Sequence, residues 1–323
     1  MAIIIPRDRQ HWLELRAGVV TSTEVSALFG ESPYLTAFEL WHRKKNGDLG
    51  EIADNDRMKW GRRLEASIAE GVAEDFGVDV RNLQEFATHD DVRMGASFDF
   101  EVIGTLVGHE DVADRRLLDL YDEHGPGVME IKNVDGLAWR NNWTRGEVAE
   151  APAHIEIQLQ AQLDCLGREW GCIVALVGGN EAHVIVRKRD RAVGAALRRK
   201  VAEFWASIEA NTPPPPVMPQ DAAFIVQLYQ FAEPGKVFDG RGDAEIASLC
   251  AEYHQAGKEE KAAKDRKDSA RARLLERIGD SEKVLADGFS ISCGMVGPAE
   301  IPAYTRAGYR GFRVTAKKST SKE

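Results

Sequence analysis

Cysteine is scarce in this 323-residue chain: Cys165, Cys172, Cys250 and Cys293 are the four present, and none is in CxxC spacing. Such scattered cysteines read as reduced and mostly buried, which excludes a disulfide framework and a zinc site. The eight histidines show no HxxxH or HExxH pattern, so His109, His124 and His183 are read as non-ligands. No apolar run approaches the ~20 residues needed to span a bilayer, and no membrane partner is expected. The N-terminus, Met1-Ala2-Ile3-Ile4-Ile5-Pro6-Arg7, lacks a signal peptide's basic start, long apolar region and cleavage site. A cytoplasmic protein is the expectation. Bulk positive charge is missing too: a formal net charge of −10 excludes a protein that coats nucleic acid through general basicity.

What is present is ordinary in amount and uneven in placement. A hydrophobic content of 43% with 29% charged residues suits a globular protein with a large domain and a smaller one. Basic residues gather at Arg57, Lys59, Arg62 and Arg63, while acids crowd 110–123, including Glu110, Asp111, Asp114, Asp119, Asp122 and Glu123. A basic groove inside an acidic exterior would bind a polyanion locally. Four consecutive prolines, Pro213 to Pro216, cannot continue a helix and favour an extended spacer. They divide the chain into a first domain (1–211), a linker (212–219) and a C-terminal region (220–323).

In the first domain, His11 to Arg16 reads as a short helix, and Ser22 as the N-cap of a second helix that Gly30 stops. A third helix runs from Leu35 to Lys45. Trp60, Leu64, Ile68, Val72 and Phe76 recur every fourth residue, which predicts a helix over 56–76 with all five in the core. Glu65 then lies at the border of that stripe. Strands are predicted over 79–88, 92–103 and 127–134, with a strand-containing acidic excursion between the last two. A helix over 155–166, a strand pair at 171–176 and 182–188, and a helix over 190–208 complete an α/β domain. Beyond the prolines, helices over 220–232 and 243–278 precede short strands and a disordered tail from Lys317 to Glu323. The alternating charges of the long helix mark a solvated face.

The chemistry is concentrated at Glu130-Ile131-Lys132. Side chains alternate on a strand, so Glu130 and Lys132 share one face while Met129 and Ile131 point into a core on the other. Asp99 can bring a second carboxylate from a neighbouring strand. Two carboxylates beside an ammonium form a hard-oxygen site of the kind that holds Mg²⁺ for phosphodiester cleavage. Trp139 and Trp143, with Arg140 and Arg145 in a polar stretch, could stack on or wedge a DNA end, against the commoner fate of a tryptophan packed under a loop.

The ordered series Glu65, Asp99, Glu130, Lys132 and Gln158 resembles the PD-(D/E)XK nuclease superfamily, and more narrowly its YqaJ-type viral recombinase and phage lambda exonuclease-like members. Lys59-Trp60-Gly61-Arg62-Arg63-Leu64-Glu65 is similar to that family's W-G-x-x-x-E helix. Ala96-Ser97-Phe98-Asp99 is similar to its S-P-D segment, with Phe98 for proline. Glu130-Ile131-Lys132 corresponds to its E-x-K strand and Gln158-Leu159-Gln160 to its Q-x-Q helix. The segment from Trp12 through Arg16 and Ser22 to Trp41 extends the likeness, which covers about 10 to 210. Ile155 stands where the family often has tyrosine.

The resemblance implies a restriction-endonuclease-like core, a mixed central sheet flanked by helices, with a smaller α+β C-terminal region for assembly or partner binding. It implies that Asp99, Glu130 and the Ile131 carbonyl hold Mg²⁺, for which Mn²⁺ would substitute, with Glu65 and Gln158 serving one or two ions. Lys132 would stand beside the attacking water. Arg16 and Ser22 would grip a 5′ phosphate, with Arg62, Trp139 and Arg140 along the DNA. The implied activity is 5′→3′ exonuclease digestion of linear double-stranded DNA, in a phage or its bacterial host, leaving 3′ tails for a single-strand annealing protein. A homo-oligomer, with a trimeric ring as the form suspected, belongs to the same expectation. Two other readings stay open: a same-fold nuclease acting on single strands or as an endonuclease, and a non-catalytic DNA-binding protein on a nuclease scaffold.

Overall fold

The computed structural model describes residues 2–47, 55–108, 112–145, 148–298, 305 and 308–314, with Thr144 and Arg145 described by backbone alone. His109, Glu110, Asp111 and the tail from Lys317 lie outside the described residues. The chain divides into two compact units, Met1–Ile225 and Val226–Glu323.

The first unit begins with β1 (Ala2–Ile4), α1 (Arg9–Ala17), β2 (Val20–Thr21), a 3-10 helix (Val25–Phe29), α2 (Ala37–Asn46) and α3 (Asp56–Phe76). Next come β3 (Val78–Asn82), β4 (Phe86–Thr88), β5 (Met94–Ser97), β6 (Phe100–Thr105), α4 (Arg116–His124) and β7 (Gly127–Val134). After α5 (Gly136–Asn142), β8 (Thr144–Arg145) and β9 (Val148–Ala149) come α6 (Ala153–Leu166), β10 (Trp170–Val177), β11 (Glu181–Lys188) and α7 (Arg191–Glu209). A short α8 (Ala222–Leu228) crosses the division between units.

Five strands make the central sheet in the order β11-β10-β7-β6-β3. Only β7 and β10 in it run parallel, joined by a crossover through α6; the other pairs are antiparallel. One face carries the core of α3 and α4, where Ile68, Val72, Leu117 and Leu118 meet Met129 and Ile131. The opposite face carries α6 and α7, where Leu159, Leu163, Leu197 and Val201 join Val128 and Val134. The domain is therefore a helix–sheet–helix sandwich built on a mixed sheet. At the start of β7, a Cβ on Gly127 would lie 2.3 Å from the Trp170 indole, so only glycine admits that ring.

The helix predicted over 56–76 forms with those limits: the Asn55 side chain accepts from the Met58 N–H, and Gly77 closes it in the left-handed region at φ 65°. Its stripe behaves differently. Ile68 and Val72 are buried, but Trp60 is 53% exposed, with the Arg63 guanidinium 5.1 Å over its ring. Sheet contact begins farther along the helix than the repeat does.

Where the sequence predicts single strands over 79–88 and 92–103, each splits between two sheets. β4 and β5 belong to a separate sheet of order β1-β4-β5-β2, while β3 and β6 belong to the central one. Asp99 sits at the second break. The acidic excursion contains α4 rather than a strand among its described residues, because Leu117 and Leu118 pack inward while its acids face out.

The proline run stays with the first unit, which extends to Ile225. Asp221 explains this: it is fully buried, accepts from the Thr36 hydroxyl at 2.6 Å and accepts the Val217 N–H at 2.6 Å. Considered alone, the second unit holds α9 (Ala244–Ile278), without a buried residue, and a hairpin of β12 (Lys283–Ala286) and β13 (Phe289–Ser292). Burial pushes the thiols of Cys165 and Cys172 up to about 12 and makes them inert, whereas Cys250 is exposed.

Candidate active site

Strand β7 is buried on both faces, yet it carries Glu130 at 2% exposure. The carboxylate lies on the α6 side, flanked along its strand by Val128 and Lys132, and next to Ile173 in the parallel register with β10. A buried carboxylate needs hydrogen-bond donors. Lys132 donates to Oε1, as does the Gln158 amide at 2.5 Å, and the Gln162 amide reaches Oε2 at 2.6 Å. The same amide nitrogen donates to the Ser97 carbonyl at 3.0 Å. Period-two alternation thus places Glu130 and Lys132 together, as the sequence predicts.

Asp99 completes the cluster from the chain break before β6, where its carboxylate accepts the Ile131 N–H at 2.8 Å. Burial and the facing Glu130 raise its pKa to about 8, against the opposing pull of Lys132. Glu65, half-buried on α3, is likewise raised by burial and by Glu130, while Lys132 and Arg62 act in the other direction. Burial alone would lower the Lys132 ammonium; Glu130, Asp99 and Glu65 together hold it above its ordinary value. One ammonium faces three acidic side chains, and the surplus negative charge calls for a cation.

The donor set fits a hard divalent ion, being all oxygen. Among the described residues, no three His, Cys, Asp or Glu side chains form a ready-made metal cluster. An ion here would draw on the two carboxylates of Asp99 and Glu130, the Ile131 carbonyl and water. Gln162 Oε1 offers further support, as a buried acceptor without a partner among the described residues. An orphan of this kind costs about 1–3 kcal/mol unless water or a ligand satisfies it.

Gln162 escaped the sequence reading, which paired Gln158 with Gln160. On a helix, a residue two positions on points about 200° away, whereas one four positions on returns to the same face. Gln160 accordingly binds the Lys188 carbonyl and the Asp190 N–H, away from the site. The remainder of α6 is keyed from behind by buried Asp164, which accepts from Arg189 at 2.6 Å and from Arg198 at 2.7 and 2.6 Å.

A second cluster gathers around α1. The Arg16 guanidinium stacks 4.5 Å over the Trp12 ring, and burial lowers its pKa against the pull of Glu24. Lys44, which the sequence reading did not include, pairs with Glu24 at 2.8 Å and donates to the Arg16 carbonyl at 2.9 Å. Two cations share one carboxylate, so this corner is positive in an acidic protein. Ser22 is buried beside it, but it caps no helix. The following element is a 3-10 helix with Glu24 in the cap position, and the Ser22 N–H donates to the Gly95 carbonyl at 2.8 Å. Trp12 also donates its indole N–H to the Ser97 hydroxyl at 2.9 Å. Ser97 therefore touches both clusters. A cleft of about 410 Å³ opens alongside, lined by Arg9, Trp12, Met58 and Arg62 among others.

Trp139 and Arg140 lie on α5, just past β7. Arg140 is exposed, but Trp139 runs parallel to Trp143 and stacks on His183 at 4.3 Å. With Trp143 buried, this ring packs with the core and is not set out as a stacking surface.

The sandwich thus carries a carboxylate–lysine–glutamine cluster on its central parallel strand. Residues 11–169 match the model of the YqaJ-like viral recombinase domain. Among solved structures, the chain is similar to the alkaline exonuclease LHK-Exo from Laribacter hongkongensis, at 22% identity and a TM-score of 0.47 over 62% of this chain and 93% of that one. Its complex with dAMP gives 20% identity and 0.49 over the same shares. A phage-related exonuclease from Haemophilus somnus 129PT gives 10% identity and 0.40, covering 59% of this chain and 94% of that one. No curated protein matches the chain.

Proposed function

We propose that this protein is a Mg²⁺-dependent 5′→3′ exonuclease acting on linear double-stranded DNA, leaving 3′ single-stranded tails for recombination by strand annealing. The observation that carries the reading is the convergence of Asp99, Glu130, Lys132, Gln158 and Gln162 at one end of β7, within electrostatic reach of Glu65. Asp99, Glu130 and the Ile131 carbonyl hold the ion, and Glu65 and Gln158 serve a second ion or order the waters around the first. When bound, Mg²⁺ or Mn²⁺ lowers the pKa of a water and offsets charge on the phosphate.

The residues divide the remaining work. The carboxylates that face Lys132 hold its pKa above the ordinary value, and its Nζ donates to the attacking water or a phosphate oxygen. Gln158 and Gln162 hold the Glu130 carboxylate in position without adding charge. Arg16, supported by Lys44 and near Ser22, receives the 5′ phosphate through paired guanidinium donors. Family resemblance is what supports the wider assembly: a trimeric ring and a single-strand annealing partner.

Digestion of a 5′-phosphorylated linear duplex with Mg²⁺ tests the reading. Glu130→Ala and Lys132→Ala should each abolish release of nucleotides, and a closed circle should survive. Full activity in either variant overturns the site. Cutting of the closed circle overturns the exonuclease assignment.

A further inference from the structure

His154, Gln158 and Gln162 follow one another at intervals of four along α6. Residues so spaced lie one above another on a helix face. Gln162 is fully buried and Gln158 is 8% exposed, while His154 in the first turn is only half-buried. The stripe climbs from the floor of the active site to its mouth, with His154 outermost. The imidazole feels both Lys132 and Glu31; burial and Lys132 hold its pKa below the ordinary value, with Glu31 opposing.

Tyr34 stands edge-to-face with His154, ring centroids 5.8 Å apart and planes at 88°. It is 79% exposed. The backbone that presents it is braced: the Ser32 hydroxyl accepts from the N–H groups of Tyr34 at 3.2 Å and Leu35 at 3.4 Å. An aromatic face is thus held in solvent, on supported backbone, against a histidine within electrostatic reach of Lys132. A flat ring with an unstacked face is the ligand such a surface suits, and a nucleic-acid end supplies one in its last base.

We propose that Tyr34 is the stacking platform for the terminal base of the strand being shortened, with His154 a positioning residue that holds the Tyr34 ring. The assignment rests on the nuclease reading. The contact specifies no sequence, because every base has a stacking face; it holds the end nucleotide while its phosphodiester is cut. Its signature is dependence on the base itself, not on the phosphates.

The test compares a 5′-phosphorylated duplex bearing an intact terminal base with the same duplex bearing an abasic terminal residue. On intact ends, Tyr34→Ala should lower kcat/KM about tenfold, and Tyr34→Phe, which retains the ring, should recover most of that loss. On abasic ends, wild type and Tyr34→Ala should be equal. His154→Ala should lose activity on intact ends only, His154→Phe should restore it, and adding His154→Ala to Tyr34→Ala should cost nothing more. Equal losses on both ends, or none on intact ends, would overturn the platform. An inactive wild type on any DNA would instead overturn the nuclease reading beneath it.

Discussion

Removing one negative charge from the catalytic cluster should make the metal-free protein more stable. In the folded state Asp99 has a pKa of about 8 against an ordinary 3.8, raised by burial and by Glu130. A carboxyl whose folded pKa is raised binds its proton more tightly in the native state. Stability is therefore greatest below the ordinary value and falls as pH rises through the window up to about 8. At ~1.4 kcal/mol per pH unit, the full window corresponds to on the order of 5 kcal/mol. Asp99→Asn keeps an oxygen to accept the Ile131 N–H and removes the charge. We expect a gain of about 3 kcal/mol at pH 8 in EDTA, after allowing for relaxation of neighbouring groups, or a rise in Tm of roughly 5–10 °C for a unit of this size. Near pH 4 the two proteins should coincide. Thermal unfolding in EDTA across pH 4–9 reads both. Adding Mg²⁺ should raise the wild-type Tm and leave the variant nearly unmoved. A variant that melts at or below wild type in EDTA at pH 8 would refute the argument that Asp99 lies in surplus negative charge.

Other outcomes follow from single contacts. Gln162→Leu should keep the fold and lower kcat roughly 10–100-fold, since Glu130 loses an orienting amide; turnover at saturating Mg²⁺ measures it. Gly127→Ala forces a methyl into the Trp170 indole and should cost about 1–3 kcal/mol by urea unfolding. Asp164→Asn breaks its pairing with Arg189 and Arg198 and should cost about 2–3 kcal/mol at neutral pH, discounted because both arginines are partly open to solvent. The partner arginines lower the Asp164 pKa despite burial, so its contribution is present above the ordinary carboxylate range and lost as pH falls through the depressed value. The deficit of Asp164→Asn should accordingly shrink in acid. Trp139→Ala should lower Tm and leave the DNA-binding constant nearly unchanged, as a core role requires.

Strand β7 is the most legible part of the sequence, because side-chain alternation is a property of one strand and needs no partner. Glu130 and Lys132 share a face, and Met129 and Ile131 enter the opposite core, for that reason alone. Trp60 was misread because a four-residue repeat gives the direction of a helix face but not where its neighbour ends. Gln162 was missed because a short Q-x-Q string drew the eye along the chain, while the helix brings every fourth residue round. Lys44 and Tyr34 depend on contacts across more than a turn of chain, with Arg16 and His154 respectively, and no local pattern announces such pairs.

The buried Asp164 clamp has a consequence for how α6 can change. The helix is gripped on one side and toothed on the other, like a key in a lock. Slippage along its axis would have to carry Gln158 and Gln162 together, because both are cut into the same rigid rod. Misalignment is then all-or-nothing: a variant at the grip should yield a mixture of fully aligned and disengaged molecules, and not a uniform population with one tooth worn.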